Sequence, residues 1–303
     1  MVLDIGRLWR RRQPTLPAER PSGLGFIVGT GRCGTTILAQ ILNAHSKILV
    51  PPELQFIPTL QRQSVKQLRA REIASLIEAY CPYRLERFFD YRAYLLALDY
   101  PQQDLAVFLN NFFVAICRQY GKSAFLEQTP WYGQHLPMLA TLFPEMHVIH
   151  MVRDPRDVVF SFQRTPFWGK ITYEEGLRRW EKEVRVIREF GNTMGSRFVE
   201  IRYEDFVQAP LKFLPQVLGN FGFSFEETMI QPSSLFDYGS IFKTPDLGLT
   251  YHSPEYRRWR DAAGREAVFQ DNVYAWKRRP EYSALYGKTE CIAETMALYG
   301  YLP

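Results

Sequence analysis

Short apolar runs alternate along the chain with longer stretches in which apolar residues recur at helical spacing. The runs with the length and composition of buried strands span residues 26–28, 48–50, 124–127, 146–152 and 197–202. Strands separated by helices are usually joined by crossover connections, which favours parallel pairing. We therefore predict an α/β fold in which a mainly parallel sheet is flanked by helices.

The helical stretches suggest how the chain is divided. Residues 59–120 are rich in Arg, Leu and aromatic residues and are interrupted by Pro82 and Pro101, which predicts a helical cap insertion. Thr172 and Glu175 have the spacing of a capping box at the start of a helix. We expect a flexible lead-in at 1–22, a single α/β domain at 23–303, and a lid or substrate wall at about 225–270.

A glycine-rich segment follows the first predicted strand and precedes a helical pattern. Its sequence is Gly29-Thr30-Gly31-Arg32-Cys33-Gly34-Thr35-Thr36. The first amides of a helix lack internal acceptors and its dipole adds positive charge, so a phosphate or sulfate group is favoured there. The spacing matches a P-loop, except that Thr35 stands in the lysine position. This predicts an anion site of nucleotide-binding type without the usual Mg-nucleoside triphosphate chemistry. A turn that only connects strand to helix is the alternative.

Composition narrows the class of protein. The 303 residues are 46% hydrophobic, carry a net charge of +5, and include four scattered cysteines without metal-ligand or redox spacing. A reduced, cytoplasmic protein is the simplest interpretation. No apolar span is long enough to cross a membrane, although Leu8, Trp9 and the arginines at 10–12 leave a peripheral membrane contact open. The basic runs indicate either solvated faces or a funnel for an anionic ligand.

Two motifs in the right order resemble a known family. Gly31-Arg32-Cys33-Gly34-Thr35-Thr36 is similar to the 5′-phosphosulfate loop of sulfotransferases that use 3′-phosphoadenosine 5′-phosphosulfate (PAPS). Val152-Arg153-Asp154-Pro155-Arg156-Asp157-Val158-Val159-Phe160-Ser161 is similar to their 3′-phosphate segment, and 201–205 also resembles a family segment. The match runs from about residue 24 to 215. It is closer to the bacterial and Golgi-type branches, because Glu53 follows the second strand.

The resemblance implies a donor site and a reaction. The implied reaction is in-line transfer of a sulfonate group from PAPS to a hydroxyl acceptor, with Glu53 as general base and Arg32 at the bridging oxygen. The implied donor-binding residues are Arg32, Cys33, Gly34, Thr35, Thr36, Arg153, Ser161, Tyr203 and, from a less well matched segment, Lys277. No metal ligand is implied.

Three positions raise questions of their own. His135 competes with Glu53 for the role of base, although a single histidine after a proline is more often structural. Gln128 stands where many relatives carry a lysine, so either Arg32 acts alone or another cation, such as Lys170 or Arg62, closes over the site. Cys33 replaces the usual serine, either as a reactive thiol at a helix N-terminus or as a residue of similar size.

Other functions remain open at this point. A P-loop kinase or other phosphotransferase is disfavoured by Thr35 in the lysine position. A non-enzymatic nucleotide-binding interaction module is the other alternative. For the sulfotransferase, the expected acceptor is a hydroxylated small molecule, lipid or carbohydrate, and no nucleic-acid partner is expected. The aromatic residues that could line its site are equally at home in a core; they are Phe56, Trp131, Tyr132, Phe167 and Trp168.

Overall fold

A computed structural model describes residues 19–62, 69–80, 85–98, 104–163, 171–230, 273–278 and 288–302. Within these ranges one sheet is built from β1 (Leu24–Gly29), β2 (Ile48–Leu49), β3 (Ala124–Glu127), β4 (His147–Val152) and β5 (Phe198–Arg202). The strand order is β2-β3-β1-β4-β5, and each neighbouring pair is parallel. The predicted α/β fold with a parallel sheet is confirmed.

Helices connect the strands and follow the last of them. Those in the described ranges are α1 (Thr35–Asn43), α2 (Ile57–Arg62), α3 (Ala70–Tyr80), α4 (Tyr91–Ala97), α5 (Leu105–Gln119), α6 (Leu136–Leu142), α7 (Pro155–Gln163), α8 (Tyr173–Gly191), α9 (Tyr203–Gln208), α10 (Pro210–Asn220) and α11 (Ala293–Leu298). Short 3₁₀ turns at Pro130–His135 and Ala275–Arg278 lie close to the residues discussed below. None of the described helices is both long and apolar enough to cross a bilayer.

The two faces of the sheet bury different sets of residues. Phe26 and Val28 of β1 belong to a cluster that also takes in α2 to α5, whereas Ile27 belongs to one on the other face with α1 and α10. This alternation follows from the two-residue period of a strand. In the first cluster the ring of Phe113 on α5 stacks on Phe125 of β3 at 4.3 Å. The helices described within 59–120 thus pack into the main core; a role in covering an acceptor stays a prediction.

Contacts with the body of the protein begin earlier than the predicted lead-in allows. The Glu19 amide donates to Asn111 Oδ1 at 3.0 Å, and the Ser22 amide donates to the carbonyl oxygen of Ser123 at 2.8 Å. Glu19 and Ser22, at the described end of the predicted lead-in, are therefore hydrogen-bonded to the rest of the domain. Residues 1–18, and 231–272 of the predicted lid, lie outside the described ranges.

The capping box at the start of α8 is present as predicted. Thr172 Oγ1 accepts from the Glu175 amide, and the Glu175 carboxylate accepts from the Thr172 amide. Two orphan donors of the first turn are satisfied in this way, which fixes where the helix begins. Trp180, on the apolar stripe of α8, is buried and donates from Nε1 to the carbonyl oxygen of Arg153 at 2.9 Å. The helix thereby supports the loop after β4.

Candidate functional site

Polar side chains gather at one edge of the sheet. Because the five strands run parallel, their carboxyl ends share this edge. The segments that follow the strands there carry Arg32, Glu53, Gln128, Arg153 and Tyr203. Ligands of open parallel sheets bind outside the carboxyl ends of the strands. This edge is therefore the candidate site.

The glycine-rich loop after β1 has an unusual backbone. Gly31, Arg32 and Gly34 all adopt positive φ, at 75°, 54° and 97°. A Cβ atom on Gly29 would lie 2.6 Å from the carbonyl oxygen of Met151, and one on Gly34 would lie 2.8 Å from Cε2 of Tyr203. Gly34 precedes α1 without a side-chain cap among the described residues. The loop thus brings backbone close to its neighbours at the start of a helix, which is the geometry of an anion cradle.

Direct hydrogen bonds join this loop to the motif after β4. Arg32 Nε donates to Ser161 Oγ on α7 at 2.8 Å, and Arg153 Nη1 donates to the carbonyl oxygen of Arg32 at 3.0 Å. The two motifs that the sequence suggested are therefore parts of one structure. Arg32, Arg153 and Ser161 lie together, as the predicted site requires.

Arg153 is held by further contacts around its guanidinium group. The group lies 4.5 Å from the ring centroid of Tyr203, a cation–π distance, and Nη2 lies 3.7 Å from Asp157 Oδ2. Tyr203 itself is buried between Arg153 and Gly34. These contacts fix the orientation of the Arg153 guanidinium group.

Gln128 and Cys33 have roles that the sequence left open. Gln128 Nε2 donates to Thr35 Oγ1 at 3.0 Å, so the amide in the place of a lysine orients a hydroxyl group of the loop. The Cys33 side chain is buried in the core cluster beneath α1, and burial raises the pKa of its thiol to about 11. A thiol in that environment stays protonated, so Cys33 faces the core and can reach a ligand only through its backbone amide. Thr36 lies half-buried in the first turn of α1.

Glu53 lies in a loop that is tied down at several points. Gln55, which has a positive φ of 62°, donates from Nε2 to Glu53 Oε2 at 2.5 Å. The Asn43 side chain makes two hydrogen bonds to the backbone of Val50. Its Oδ1 accepts from the Val50 amide at 2.8 Å, and its Nδ2 donates to the Val50 carbonyl oxygen at 2.6 Å. Further along, the Leu54 amide donates to Glu127 Oε1 at 2.9 Å. The half-buried Glu53 carboxylate is therefore presented by a restrained backbone.

The competing residues are placed differently. His135 ends the turn Pro130–His135, and its ring packs edge-on against Trp131 at 5.3 Å. Burial lowers the pKa of His135, and the positive charge of Arg62 lowers it further. Arg62 is exposed in the last turn of α2, and Lys170 lies outside the described residues. Phe56 and Tyr132 are fully buried, so these two aromatic residues belong to the core.

A late segment of the chain is anchored on the same motif. The buried Asp157 accepts from the amides of Trp276 at 2.9 Å and Ala275 at 3.3 Å, and Trp276 Nε1 donates to Asp154 Oδ2 at 3.2 Å. The adjacent Lys277 is exposed, with Nζ 4.8 Å from the ring centroid of Tyr274.

Sequence reasoning missed this anchor. Asp154 and Asp157 were recognised only as parts of a motif, and Trp276 only as the neighbour of Lys277. The repeated Asp within 153–157 was the one available signal, because short acidic side chains often accept backbone amides.

Comparison with known proteins shows to which family the chain belongs. A protein-family model described as "Sulfotransferase family" matches residues 26–227, which is more than half of the chain. The chain belongs to the sulfotransferase family. The matched range contains the glycine-rich loop, Glu53, and the motif from Arg153 to Ser161.

The curated relatives are distant in sequence, and the chain matches only part of their length. The nodulation protein NoeE of Sinorhizobium fredii is 31% identical over 147 residues, covering 48% of this chain and 31% of NoeE. Protein-tyrosine sulfotransferase 2 of Gallus gallus is 24% identical over 222 residues, covering 69% of this chain and 54% of that protein. The chain thus matches about a third to a half of the length of these relatives.

Solved sulfotransferase structures share the fold. The sulfotransferase domain of the Synechococcus PCC 7002 olefin synthase has a TM-score of 0.59 and 22% identity, covering 94% of this chain and 98% of that domain. The sulfotransferase domain from the curacin biosynthetic pathway has a TM-score of 0.57 and 20% identity, covering 89% and 98%. At this identity the likeness supports the α/β architecture.

Proposed function

We propose that this protein transfers a sulfonate group from PAPS to a hydroxyl acceptor. The observation that carries the proposal is the hydrogen-bonded junction of Arg32, Arg153 and Ser161 beside the start of α1. It places a helix N-terminus and two arginines together, as a donor with a 5′-phosphosulfate and a 3′-phosphate requires. Thr35 in the lysine position disfavours a kinase.

The residues present fit the donor. The amides of Cys33, Gly34, Thr35 and Thr36, with the threonine hydroxyl groups, would hold the 5′-phosphosulfate. Arg153 would fork onto the 3′-phosphate with Ser161 as a second donor. Tyr203, which already packs against Arg153, would lie near the adenine, and Lys277 would add a late cationic contact.

The proposed chemistry uses two side chains of the loops. Glu53 would accept the proton of the acceptor hydroxyl as its oxygen forms a bond to sulfur. The bond from sulfur to the bridging oxygen breaks in the same displacement, and 3′-phosphoadenosine 5′-phosphate leaves. Arg32 would stabilise the negative charge that grows on the bridging oxygen. Gln128 would act indirectly, by orienting the Thr35 hydroxyl group.

The proposed acceptors are those predicted from the sequence, with one class added. A hydroxylated small molecule, lipid or carbohydrate remains the proposed acceptor, and the similarity to a protein-tyrosine sulfotransferase adds a peptide phenol to the panel worth testing.

The test is transfer of radiolabelled sulfonate from PAPS to this panel by the wild type and by Glu53→Gln. We expect Glu53→Gln to lower turnover at least about 100-fold, as is typical for loss of a general base, while affinity for 3′-phosphoadenosine 5′-phosphate stays within about threefold. Glu174→Gln, at an exposed carboxylate on α8, is the matched control and should behave as wild type.

Three results would contradict this proposal. Wild-type turnover in Glu53→Gln would exclude Glu53 as the base. Tight nucleotide binding without transfer to any acceptor would favour the interaction module. Greater stabilisation by Mg-ATP than by 3′-phosphoadenosine 5′-phosphate would favour a phosphotransferase.

A further inference from the structure

The side chain of Glu127 is a fully buried carboxyl group that contacts the loop carrying the proposed base. Glu127 is the last residue of β3 and has no exposed surface. Its Oε1 accepts from the Leu54 amide at 2.9 Å and from Thr129 Oγ1 at 2.7 Å. Leu54 directly follows Glu53, so this contact fixes the backbone from which Glu53 projects.

The other oxygen of Glu127 indicates its ionisation state. Oε2 is buried and has no hydrogen-bond partner within the described ranges. A buried carboxylate without a cationic partner is costly, whereas a neutral carboxylic acid can carry its proton on that oxygen. Burial, with a smaller contribution from the nearby Glu53 charge, outweighs the hydrogen bonds from Thr129 and Leu54 and raises the pKa of Glu127 from 4.5 to about 8. Among the described residues, the Leu54 amide, the Thr129 hydroxyl and the Thr129 backbone also act on this carboxyl group.

We propose that Glu127 is a positioning residue for Glu53: as a neutral acid it holds loop 50–57 at Leu54 and adds no negative charge beside Glu53. This rests on the proposed function, because it assigns Glu53 the role of base. When Glu127 loses its proton, a negative charge arises beside Glu53 and near the anionic donor. Repulsion between this charge and the donor should lower kcat/KM.

Two substitutions separate the hydrogen bond from the proton. Glu127→Gln keeps a neutral acceptor for the Leu54 amide, and we expect kcat at pH 7 within about threefold of wild type. Glu127→Leu removes the acceptor, and loss of a buried acceptor predicts a fall in kcat of about tenfold to 100-fold. Affinity for 3′-phosphoadenosine 5′-phosphate should change less than about threefold, because loop 50–57 is not part of the donor cradle.

The pH profile is the readout that a merely structural role would not move. In the wild type, kcat/KM should decline above pH 8 as Glu127 ionises, and Glu127→Gln should lack this decline. Glu183→Gln is the matched control, since Glu183 is also buried but pairs with Arg179 on α8. It should keep the wild-type profile.

A spectroscopic titration makes the proposal testable without turnover. In the full-length protein labelled with ¹³C at glutamate carboxyl carbons, the signal lost in Glu127→Gln should titrate near pH 8 in the wild type. A titration near pH 4.5, an unchanged alkaline decline in Glu127→Gln, or wild-type kcat in Glu127→Leu would each overturn the proposal. Wild-type turnover in Glu53→Gln would instead overturn the proposed base, and the titration would still report the charge of Glu127.

Discussion

Arg32 combines backbone and side-chain features that neither motif alone explains. It is a non-glycine residue with a φ of 54°, in a region that costs about 1–3 kcal/mol and is retained where surrounding contacts enforce it. Those contacts are the bond from Nε to Ser161 and the bond that its carbonyl oxygen accepts from Arg153. The strained residue is thus held at the point where the two proposed anion sites meet.

Removal of one partner of Arg32 has a predictable consequence. Ser161→Ala removes the hydroxyl oxygen that accepts a hydrogen bond from Arg32 Nε. It also removes a hydroxyl group that is proposed to donate a hydrogen bond to the 3′-phosphate. We expect affinity for 3′-phosphoadenosine 5′-phosphate to fall about tenfold, as for one hydrogen bond to a charged group. Calorimetric titration checks this, with Ser75→Ala, an exposed serine on α3, as the control. An unchanged affinity in Ser161→Ala would remove this serine from the donor site.

Glu127 also makes stability depend on pH. Its folded pKa, about 8, lies above the ordinary value of 4.5, so between these values the unfolded chain releases a proton that the folded protein keeps. The contribution of Glu127 to stability is complete below pH 4.5 and falls by up to about 1.4 kcal/mol per pH unit until about pH 8.

Glu127→Gln should therefore gain stability relative to wild type as the pH rises through this window. Urea unfolding of both proteins at several pH values measures the difference. A difference that does not change with pH would contradict a neutral Glu127.

At the scale of elements, periodicity predicted most of the structure. The apolar run at 146–152 became β4 at His147–Val152, and the capping box placed the start of α8. These features are local, since a strand or a helix start is encoded by neighbouring residues. The anchor between Asp157 and Trp276 joins residues more than 100 positions apart, and Glu127 bonds to Leu54 across the sheet. Such pairs depend on how elements pack, so the order of residues does not reveal them.

The anchor itself leads to a prediction. Asp157→Asn replaces an oxygen that faces an amide donor by an NH₂ group, and it removes the carboxylate beside Arg153. We expect a loss of about 1–3 kcal/mol in the free energy of unfolding, as for a buried donor left unsatisfied.

Donor affinity should also fall in Asp157→Asn, because Arg153 loses part of its orientation. Chemical unfolding and nucleotide titration measure the two effects. Asp205→Asn, at an exposed carboxylate on α9, serves as the control. Wild-type stability together with wild-type affinity would show that the late segment is held by other contacts.

At the scale of the whole molecule, the parallel sheet explains why distant motifs converge. The segments after its strands meet at one edge, so the glycine-rich loop, the Glu53 loop and the Arg153 motif become neighbours without being neighbours in sequence. The alternation of strands and helices and the order of the motifs were enough to predict the α/β fold, and the donor site stays a prediction. The identity of the acceptor could not be predicted from the sequence, because the shape of the acceptor site depends on how the loops pack together.

We expect two linked anion sites to bind a nucleotide that is phosphorylated at both the 3′ and 5′ positions. The most direct measurement compares the affinities of 3′-phosphoadenosine 5′-phosphate and adenosine 5′-phosphate for the wild type and for Arg153→Ala. Arg178→Ala, which breaks an exposed ion pair on α8, is the control, and thermal unfolding verifies folding. The wild type and the control should prefer the 3′-phosphorylated nucleotide by about tenfold to 100-fold, and Arg153→Ala should reduce this preference to near one. Equal affinities in the wild type, or an unchanged preference in a folded Arg153→Ala protein, would contradict the account.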